Sequence, residues 1–325
     1  MPEQRIVLRN CGVVDPWSLD SFLKRDGFEA LKKARDLAPE RVIEEVKASG
    51  LRGRGGAGFP CGIKWELARK SPGDQKFVIC NADEGEVGTF KDRHIIQNDP
   101  FSLVEAMAIA GHAIGATKGF IYLRAEYRRF HNLLAAAIEQ SRNYGFLDGF
   151  DIEIRDGAGA YICGEESALM DSIEGRRGEA RFKPPFPPTS GLWGKPTIIN
   201  NVETLMNIPP IVLHGAGWFS SIGTERSKGT KVFSVAGDVE RPGVYELVMG
   251  SRLGELVVDL AKAKDPVLIQ IGGATGRVVP TTMLDVPLAF ESLLGAGGVT
   301  VFDSSRDVIE IVYRTMEFLA EESCG

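Results

Sequence analysis

The segment Phe77-Val78-Ile79-Cys80-Asn81-Ala82-Asp83-Glu84-Gly85-Glu86 decides the fold. Its first four residues are an unbroken apolar run, the pattern of a strand buried on both faces of a parallel sheet. The chain then turns polar at once, with three carboxylates in residues 83–86. Downstream the pattern alternates. A helix is expected over 100–116, capped by Asp99, then a strand over 119–123 and a helix over 127–144. A strand over 150–154 and a helix over 165–173, ended by Gly175, follow. Alternation of this kind predicts an α/β fold with a parallel sheet covered by helices. Ligands on such sheets sit beyond the carboxyl ends of the strands, which singles out the loops after Cys80 and after Ile154.

Upstream, residues 18–37 read as helical with a break at Gly27. Residues 39–49 form a clearer helix, with Pro39 in the first turn and Gly50 as a stop. A glycine-rich loop over 53–62 precedes a short helix over 63–69. Residues 181–196 are proline-rich but too apolar and aromatic for a flexible linker. From Thr230 the pattern becomes strands over 231–236, 243–248, 267–271 and 298–302, with one helix over 253–263. That is a small α+β domain compatible with a β-grasp. A long helix over 306–322 ends the chain. No internal repeat or low-complexity tract is present.

Composition bounds the function. At 325 residues the chain has room for about two domains. It is 43% apolar and 25% charged, which excludes disordered and collagen-like classes. The net charge of −6 gives no global pull toward nucleic acid. The longest mostly apolar stretch, 104–116, is too short to span a bilayer and contains His112. The first five residues lack the apolar core of a signal peptide. A cytoplasmic protein without direct membrane insertion is expected. The 5 cysteines, Cys11, Cys61, Cys80, Cys163 and Cys324, are odd in number and form no CxxC pair, which argues against a disulfide scaffold. Glycine is the outlier, with 38 residues, about 12% against a typical ~7%.

Gly53-Arg54-Gly55-Gly56-Ala57-Gly58 matches G-x-G-x-x-G, but a helix precedes it where the dinucleotide fingerprint requires a strand. No Walker A lysine follows. Consecutive glycines still let backbone N–H groups converge on an anion. The next helix offers its positive end, with Lys64 in its first turn and Arg54 as a second cation. A phosphate site is the reading, and a surface loop needing unusual dihedrals is the alternative.

Three acids beside a phosphate site must face hydroxyls, a ring or a cation. Ribose or ribityl hydroxyls would suit Asp83, Glu84 and Glu86, with a solvated turn or a Mg²⁺ site as alternatives. The loop over 156–166 also follows a strand and opens a helix with two acids, Glu165 and Glu166. Its Gly/Ala/Tyr run suits close approach of a flat ligand. Asn200 and Asn201 open a third helix, with Asn201 a plausible N-cap and the amide pair suited to a phosphate.

Five motifs now stand in order: GRGGAGFPCGIKW over 53–65, NADEGEVGTFKDR over 81–93, YICGEE over 161–166, KPPFPP over 183–188 and TIINNVET over 197–204. Together they resemble the NADH-binding flavoprotein subunit of respiratory complex I. The same family includes the diaphorase subunits of NAD-linked hydrogenases and formate dehydrogenases. The segment 5–15 leans toward the latter branch. The resemblance spans essentially the whole chain. It implies a Rossmann-like FMN domain over 1–225, a soluble-ligand-binding β-grasp domain over 226–304, and the start of an iron–sulfur helical domain over 305–325.

By the same resemblance, FMN contacts fall on Gly53, Arg54, Gly55, Gly56, Lys64, Asn81, Asp83, Glu84, Gly164, Glu165, Asn200, Asn201 and Thr204. NADH contacts fall on Phe59, Glu86, Glu166, Lys183 and Phe186, with the two aromatics stacking on adenine. No side chain is then needed as acid or base, and the four histidines are expected to be structural or at the surface. The implied activity is transfer of hydride between NADH and FMN, with single electrons passed to iron–sulfur centres of a larger complex. A thioredoxin-like 2Fe-2S subunit is an implied partner. An electron-bifurcating subunit and a non-catalytic assembly module are the rivals.

Three departures stand out. Leu67 occupies a place where the family often has an aromatic. Cys61 and Val87 replace the commoner Thr and Pro, and Cys61 is expected to be a buried, inert thiol. At the end, the family continues S-C-G-x-C-x-P-C-R, where this sequence reads Ser323-Cys324-Gly325. Cys324 alone cannot hold a 4Fe-4S cluster, which takes four thiolates, so that cluster is expected only in an untruncated chain.

Overall fold

The structure, a computed structural model, describes residues 3–324. Three short helices open the chain: α1 (Leu19–Leu23), α2 (Glu29–Arg35) and α3 (Pro39–Ala48). The glycine-rich loop leads into α4 (Cys61–Lys70). An α/β unit follows, with β1 (Phe77–Ala82), α5 (Lys91–Asn98), α6 (Pro100–Ile114), β2 (Lys118–Leu123), α7 (His131–Asn143), β3 (Asp151–Asp156), α8 (Glu166–Ile173) and β4 (Thr197–Asn201). After α9 (Val202–Met206), α10 (Ile208–His214) and α11 (Ala216–Ser220) come the strands β5 (Thr230–Gly237), β6 (Gly243–Val248), β7 (Pro266–Ile271), β8 (Arg277–Pro280) and β9 (Gly298–Asp303). The last element is α12 (Val308–Glu321).

The first sheet is wholly parallel, in the order β3-β2-β1-β4. From β1 the chain builds β2 and β3 to one side, then returns to add β4 on the other. The order therefore reverses between β1 and β4, where open α/β sheets open a crevice. Asn81 at the end of β1 lies in register with Asn201 at the end of β4.

The main core is built around α6, which is apolar on nearly all sides and buried along almost its whole length. Asp99 caps it by accepting from Ser102 N–H, and Gly115 at φ 78° ends it in the left-handed conformation. One carboxylate lies within that core. Glu105 is 2% exposed and accepts from Leu31 N–H at 3.1 Å, tying α6 to α2.

The second sheet runs β6-β5-β9-β7-β8. β5 and β9 are parallel neighbours, and the remaining pairs are antiparallel. This is the β-grasp arrangement expected from the sequence, and it encloses its own apolar core. Buried polar contacts join it to the first unit. Glu246 on β6 accepts from the N–H groups of Ile6, Val7 and Leu8 at 2.9–3.0 Å. Lys231 on β5 pairs with Glu203 on α9.

Several elements differ from the expectation. β4 is not legible as a strand, because Thr197-Ile198-Ile199 is short and sits between Pro196 and two asparagines. Helix α5 has only Ile95 and Ile96 as buried apolar residues. It forms because Glu84 caps its first N–H groups, a contact made across a loop. The helix expected over 127–144 splits into a tight turn at Ala125–Phe130 and α7. The helix expected over 253–263 contracts to a wide π-type segment at Glu255–Leu260. Strand β8 was not foreseen.

Burial pushes the Glu105 carboxyl up to about 7 from 4.5. The folded chain thus binds this proton more tightly than the unfolded chain. The stability linked to it is fully present below about pH 4.5 and is lost as pH rises through about 7. Relative to wild type, Glu105→Gln should gain about 1–3 kcal/mol between about pH 5 and pH 8. Denaturant unfolding of both proteins at the two pH values measures it, and a pH-independent difference would refute the titration.

Candidate cofactor site

A cavity opens at the carboxyl ends of β1 and β4. Seven residues of the sequence-derived FMN set line it: Gly55, Asn81, Asp83, Glu84, Gly164, Glu165 and Asn201. Glu86 of the NADH set joins them. Gly53, Arg54, Gly56, Lys64, Asn200 and Thr204 are not among its lining residues.

The side chains divide by how they are engaged. Asn81 ties the two loops together, donating from Nδ2 to the Gly164 carbonyl at 2.9 Å and accepting from Asp83 N–H at 3.0 Å. Glu84 accepts from the N–H groups of Asp92 (2.9 Å) and Arg93 (3.1 Å) and from the Tyr127 hydroxyl (2.8 Å). Its carboxylate is thus the cap of α5, and burial raises it to about 7. Asp83 differs. It is 7% exposed, its Oδ2 is buried with no partner, and burial pushes its carboxyl up to about 7. Thr89 Oγ1, also in the cavity wall, is buried and unpartnered too.

The glycine loop is pinned to the end of β4. Gly53 N–H donates to the Phe59 carbonyl at 2.9 Å, and Arg54 N–H donates to Thr204 Oγ1 at 2.8 Å. Trp65 Nε1 on α4 donates to Asn200 Oδ1 at 2.9 Å. A Cβ on Gly55 would stand 3.0 Å from the Asn201 Cβ, and Gly56 holds φ +123°, which an L side chain rarely adopts. The N–H groups of Gly55, Gly56 and Ala57 have no acceptor among the described residues.

The side-chain role expected for Arg54 is corrected. Its guanidinium is buried and donates to the carbonyls of Arg52, Lys228 and Thr230. It binds the loop to the β-grasp unit and presents no cation to the cavity. Lys64 Nζ reaches the Ile199 carbonyl at 2.9 Å and Glu166 at 3.3 Å. Asn200 and Asn201 likewise hold protein groups, and Asn201 is the N-cap of α9, as its position predicts.

Of the NADH set, Glu86 lines this cavity, and Glu166 and Lys183 pair at the start of α8, next to Glu165 in the cavity wall. Glu165 caps α8 and Glu166 begins it. Lys183 bridges both carboxylates, at 2.8 and 2.9 Å. Burial opposes ionisation of both, but Lys183, with Lys64 for Glu166, outweighs it and holds both below the ordinary value. Phe59 and Phe186 are 47% and 55% exposed, so neither is a core residue; Leu67 is similarly exposed. Glu86 accepts from Ala274 N–H (2.7 Å), Thr275 Oγ1 (2.9 Å) and Tyr161 OH (2.8 Å). The β-grasp unit therefore forms one wall of the cavity.

Sequence reasoning missed Gly85, Thr89, Lys91, Asp92, Tyr161, Ile162 and Ala296 in the lining. The Phe90-Lys91-Asp92-Arg93 run directly follows the acidic loop, and its mixed charge was the available signal. Cys61 is buried and its thiol is pushed up to about 12, as expected for an inert cysteine. Among the described residues, no group of three or more His, Cys, Asp or Glu is arranged to hold a metal ion.

This donor set fits a polyhydroxylated, phosphate-bearing group. The orphaned Asp83 Oδ2 and Thr89 Oγ1 need hydroxyl partners, and the side-chain-free glycine loop presents free N–H groups to an anion.

Comparison with known proteins agrees. The family model described as the Nuo51 FMN-binding domain matches residues 46–210. The chain is 47% identical to the NADP-reducing hydrogenase subunit HndC of Solidesulfovibrio fructosivorans, over 99% of this chain and 69% of that protein. It is 44% identical to a subunit of an NADH-quinone oxidoreductase from Rhizobium meliloti, over 98% of this chain and 80% of that protein. A crystal structure of an NAD+-reducing NiFe hydrogenase superposes with a TM-score of 0.88 at 44% identity. The match covers 92% of this chain and 52% of that one, so the chain spans about half the length of that solved relative. On its sequence, its sheet order and the residues gathered at the switch point, the chain belongs to the family of the Nuo51 FMN-binding domain.

Proposed function

We propose that the chain is an NADH dehydrogenase (diaphorase) subunit that binds FMN in the cavity between β1 and β4. The observation that carries this reading is the buried, unpartnered Asp83 carboxylate oxygen inside a cavity lined by seven residues of the expected FMN set. FMN, when bound, would supply the exchange of a hydride with NADH and the release of electrons one at a time.

The chain's own residues would bind, orient and exclude. Gly55 and Gly56 would leave backbone N–H groups open to a phosphate. Asp83 would accept from ligand hydroxyls, which its surroundings do not otherwise provide. Asn81 would hold the loops after β1 and β3 at a fixed separation. Glu166 and Lys183 would meet a nucleotide ribose, and Phe59 and Phe186 would offer exposed aromatic faces to adenine. The Lys183 bridge would keep Glu165 and Glu166 ionised at neutral pH, leaving no proton for either to give.

We assign the FMN/NADH-binding domain to 1–225, the β-grasp domain to 226–304 and the start of an iron–sulfur helical domain to 305–325. Relatives named as subunits of hydrogenases and quinone oxidoreductases support a place in a multi-subunit complex. The partners we propose carry iron–sulfur centres and include a thioredoxin-like 2Fe-2S subunit. Among the described residues, no helix is long and apolar enough to cross a membrane. A cytoplasmic site, free or attached to a membrane complex through partners, is part of the proposal. Cys324 would supply one thiolate to a 4Fe-4S cluster whose other ligands lie outside these residues.

The purified chain, incubated with FMN, should be yellow and bleach with NADH. Gly56→Val should lose stoichiometric flavin without unfolding, because valine resists a φ of +123° and shields the neighbouring N–H groups. A flavin-replete Gly56→Val protein would place the phosphate elsewhere.

Coenzyme choice gives a second test. Glu165 and Glu166 are balanced by Lys64 and Lys183, so the ribose region is close to neutral. Removing one carboxylate leaves a net positive charge that favours a 2′-phosphate. Charges 4 Å apart at an effective dielectric near 20 interact by about 4 kcal/mol, and a third of that is about tenfold. Glu166→Gln should therefore raise kcat/KM for NADPH relative to NADH by about tenfold. An unchanged ratio with a lowered Tm would leave Glu166 only a partner of the α8 dipole.

A further inference from the structure

Beside the cavity lies a buried ionic group that the proposed function leaves idle. Lys91, the first residue of α5, is 1% exposed. Its ammonium stands 2.7 Å from Asp92, 3.1 Å from Glu203 and 3.2 Å from Asn201 Oδ1. Glu203 also pairs with Lys231 and accepts from Val232 N–H at 2.8 Å. Two cations and two anions cancel, yet they are placed unequally. Lys91 and Asp92 line the cavity, whereas Glu203 and Lys231 stand behind them toward the second sheet.

Among the described residues, every other charged side chain in the cavity wall is acidic: Asp83, Glu84, Glu86, Asp92 and Glu165. Lys91 is the one cation in that set. It also keeps its charge. Burial alone would lower its pKa, but Asp92, Glu203 and Glu84 override burial and hold it above the ordinary lysine value. Lys231 is the contrast, since burial brings it down to about 8.

A flavin that takes up two electrons and one proton gains one negative charge. A fixed buried cation in the wall favours that reduced form, and the low local dielectric strengthens the effect. A wall of carboxylates opposes it. From this placement we infer that Lys91 sets the reduction potential of the flavin held in this cavity. Asp92 attenuates its charge, and Glu203 fixes its position from behind. The inference rests on the reading of the cavity as the FMN site.

A purely structural Lys91, holding only Asn201 and the start of α9, makes a different prediction, because losing either partner would then lower stability alone. Two variants separate the readings by sign. Lys91→Met removes the cation and should shift the oxidised-to-reduced ratio at a fixed solution potential at least tenfold toward oxidised flavin. Asp92→Asn leaves the cation and removes its counter-charge, and should shift the ratio at least tenfold the other way. For a two-electron couple each tenfold is about 30 mV.

The measurement is a dye-equilibrated redox titration of the FMN-loaded 325-residue chain, followed by flavin absorbance. Opposite shifts in the two variants, with Lys91→Arg near wild type, support the inference. If wild type and variants hold flavin but titrate together, or both variants move the same way, the inference is overturned and the site reading survives. If Lys91→Met does not fold, Asp92→Asn decides alone: an upward shift in potential supports the inference and no shift overturns it. If wild type takes up no FMN, the reading of the cavity falls and this assignment with it.

Discussion

The site depends on the parallel pairing of β1 with β4. Because Asn81 and Asn201 lie in register, two loops and two helix starts emerge side by side. The loop after β1 carries the acids. The glycine loop is held against α9 through Thr204 and lies close to Asn201 at Gly55, while Trp65 of α4 donates to Asn200 at the end of β4. A one-residue slip in that ladder would send Asn81 and Asn201 to opposite faces and dismantle the cavity. Glu203, Glu246, Glu86 and the Arg54 guanidinium all make hydrogen bonds across the junction that joins the β-grasp unit to this wall.

Much of this was legible in the sequence. Alternation around the 77–86 segment predicted the parallel sheet, and the late strands predicted the second unit. Asp99 and Asn201 were readable as caps because the cap residue sits beside the helix that it starts. Helix α5 was hidden for the opposite reason: its cap is Glu84, supplied from a loop outside the helix itself. β4 was hidden because two apolar residues, Ile198 and Ile199, before two asparagines are too short a run to read as a strand, and pairing with β1 makes them one.

The site residues divide along the same line. Motif position identified which residues surround the cavity, but the side chains' partners follow from tertiary structure. Arg54 looked like a phosphate cation because it lies among glycines. In the fold its backbone belongs to the loop, while its guanidinium satisfies carbonyls of the next unit. Glu84 looked like an acceptor for ligand hydroxyls; it lines the cavity while also accepting from two backbone N–H groups and the Tyr127 hydroxyl. Lys91 went unnoticed because a lysine in a polar run reads as a solvated face. Its burial follows only from the acids of α5 and α9 closing around it.

Glu86 gives the cavity wall a property of its own. Its carboxylate is held by three donors, two from the β-grasp turn and one from Tyr161. Tyr161 in turn donates its N–H to Glu322 and packs edge-on against Phe318 of α12, 5.2 Å between ring centres. A ligand that engages this carboxylate competes with donors that already satisfy it, so the net gain is only the difference between the two sets. Of the three donors, the Tyr161 hydroxyl belongs to a residue that also touches the terminal helix, so the carboxylate, the β-grasp turn and α12 meet at that side chain.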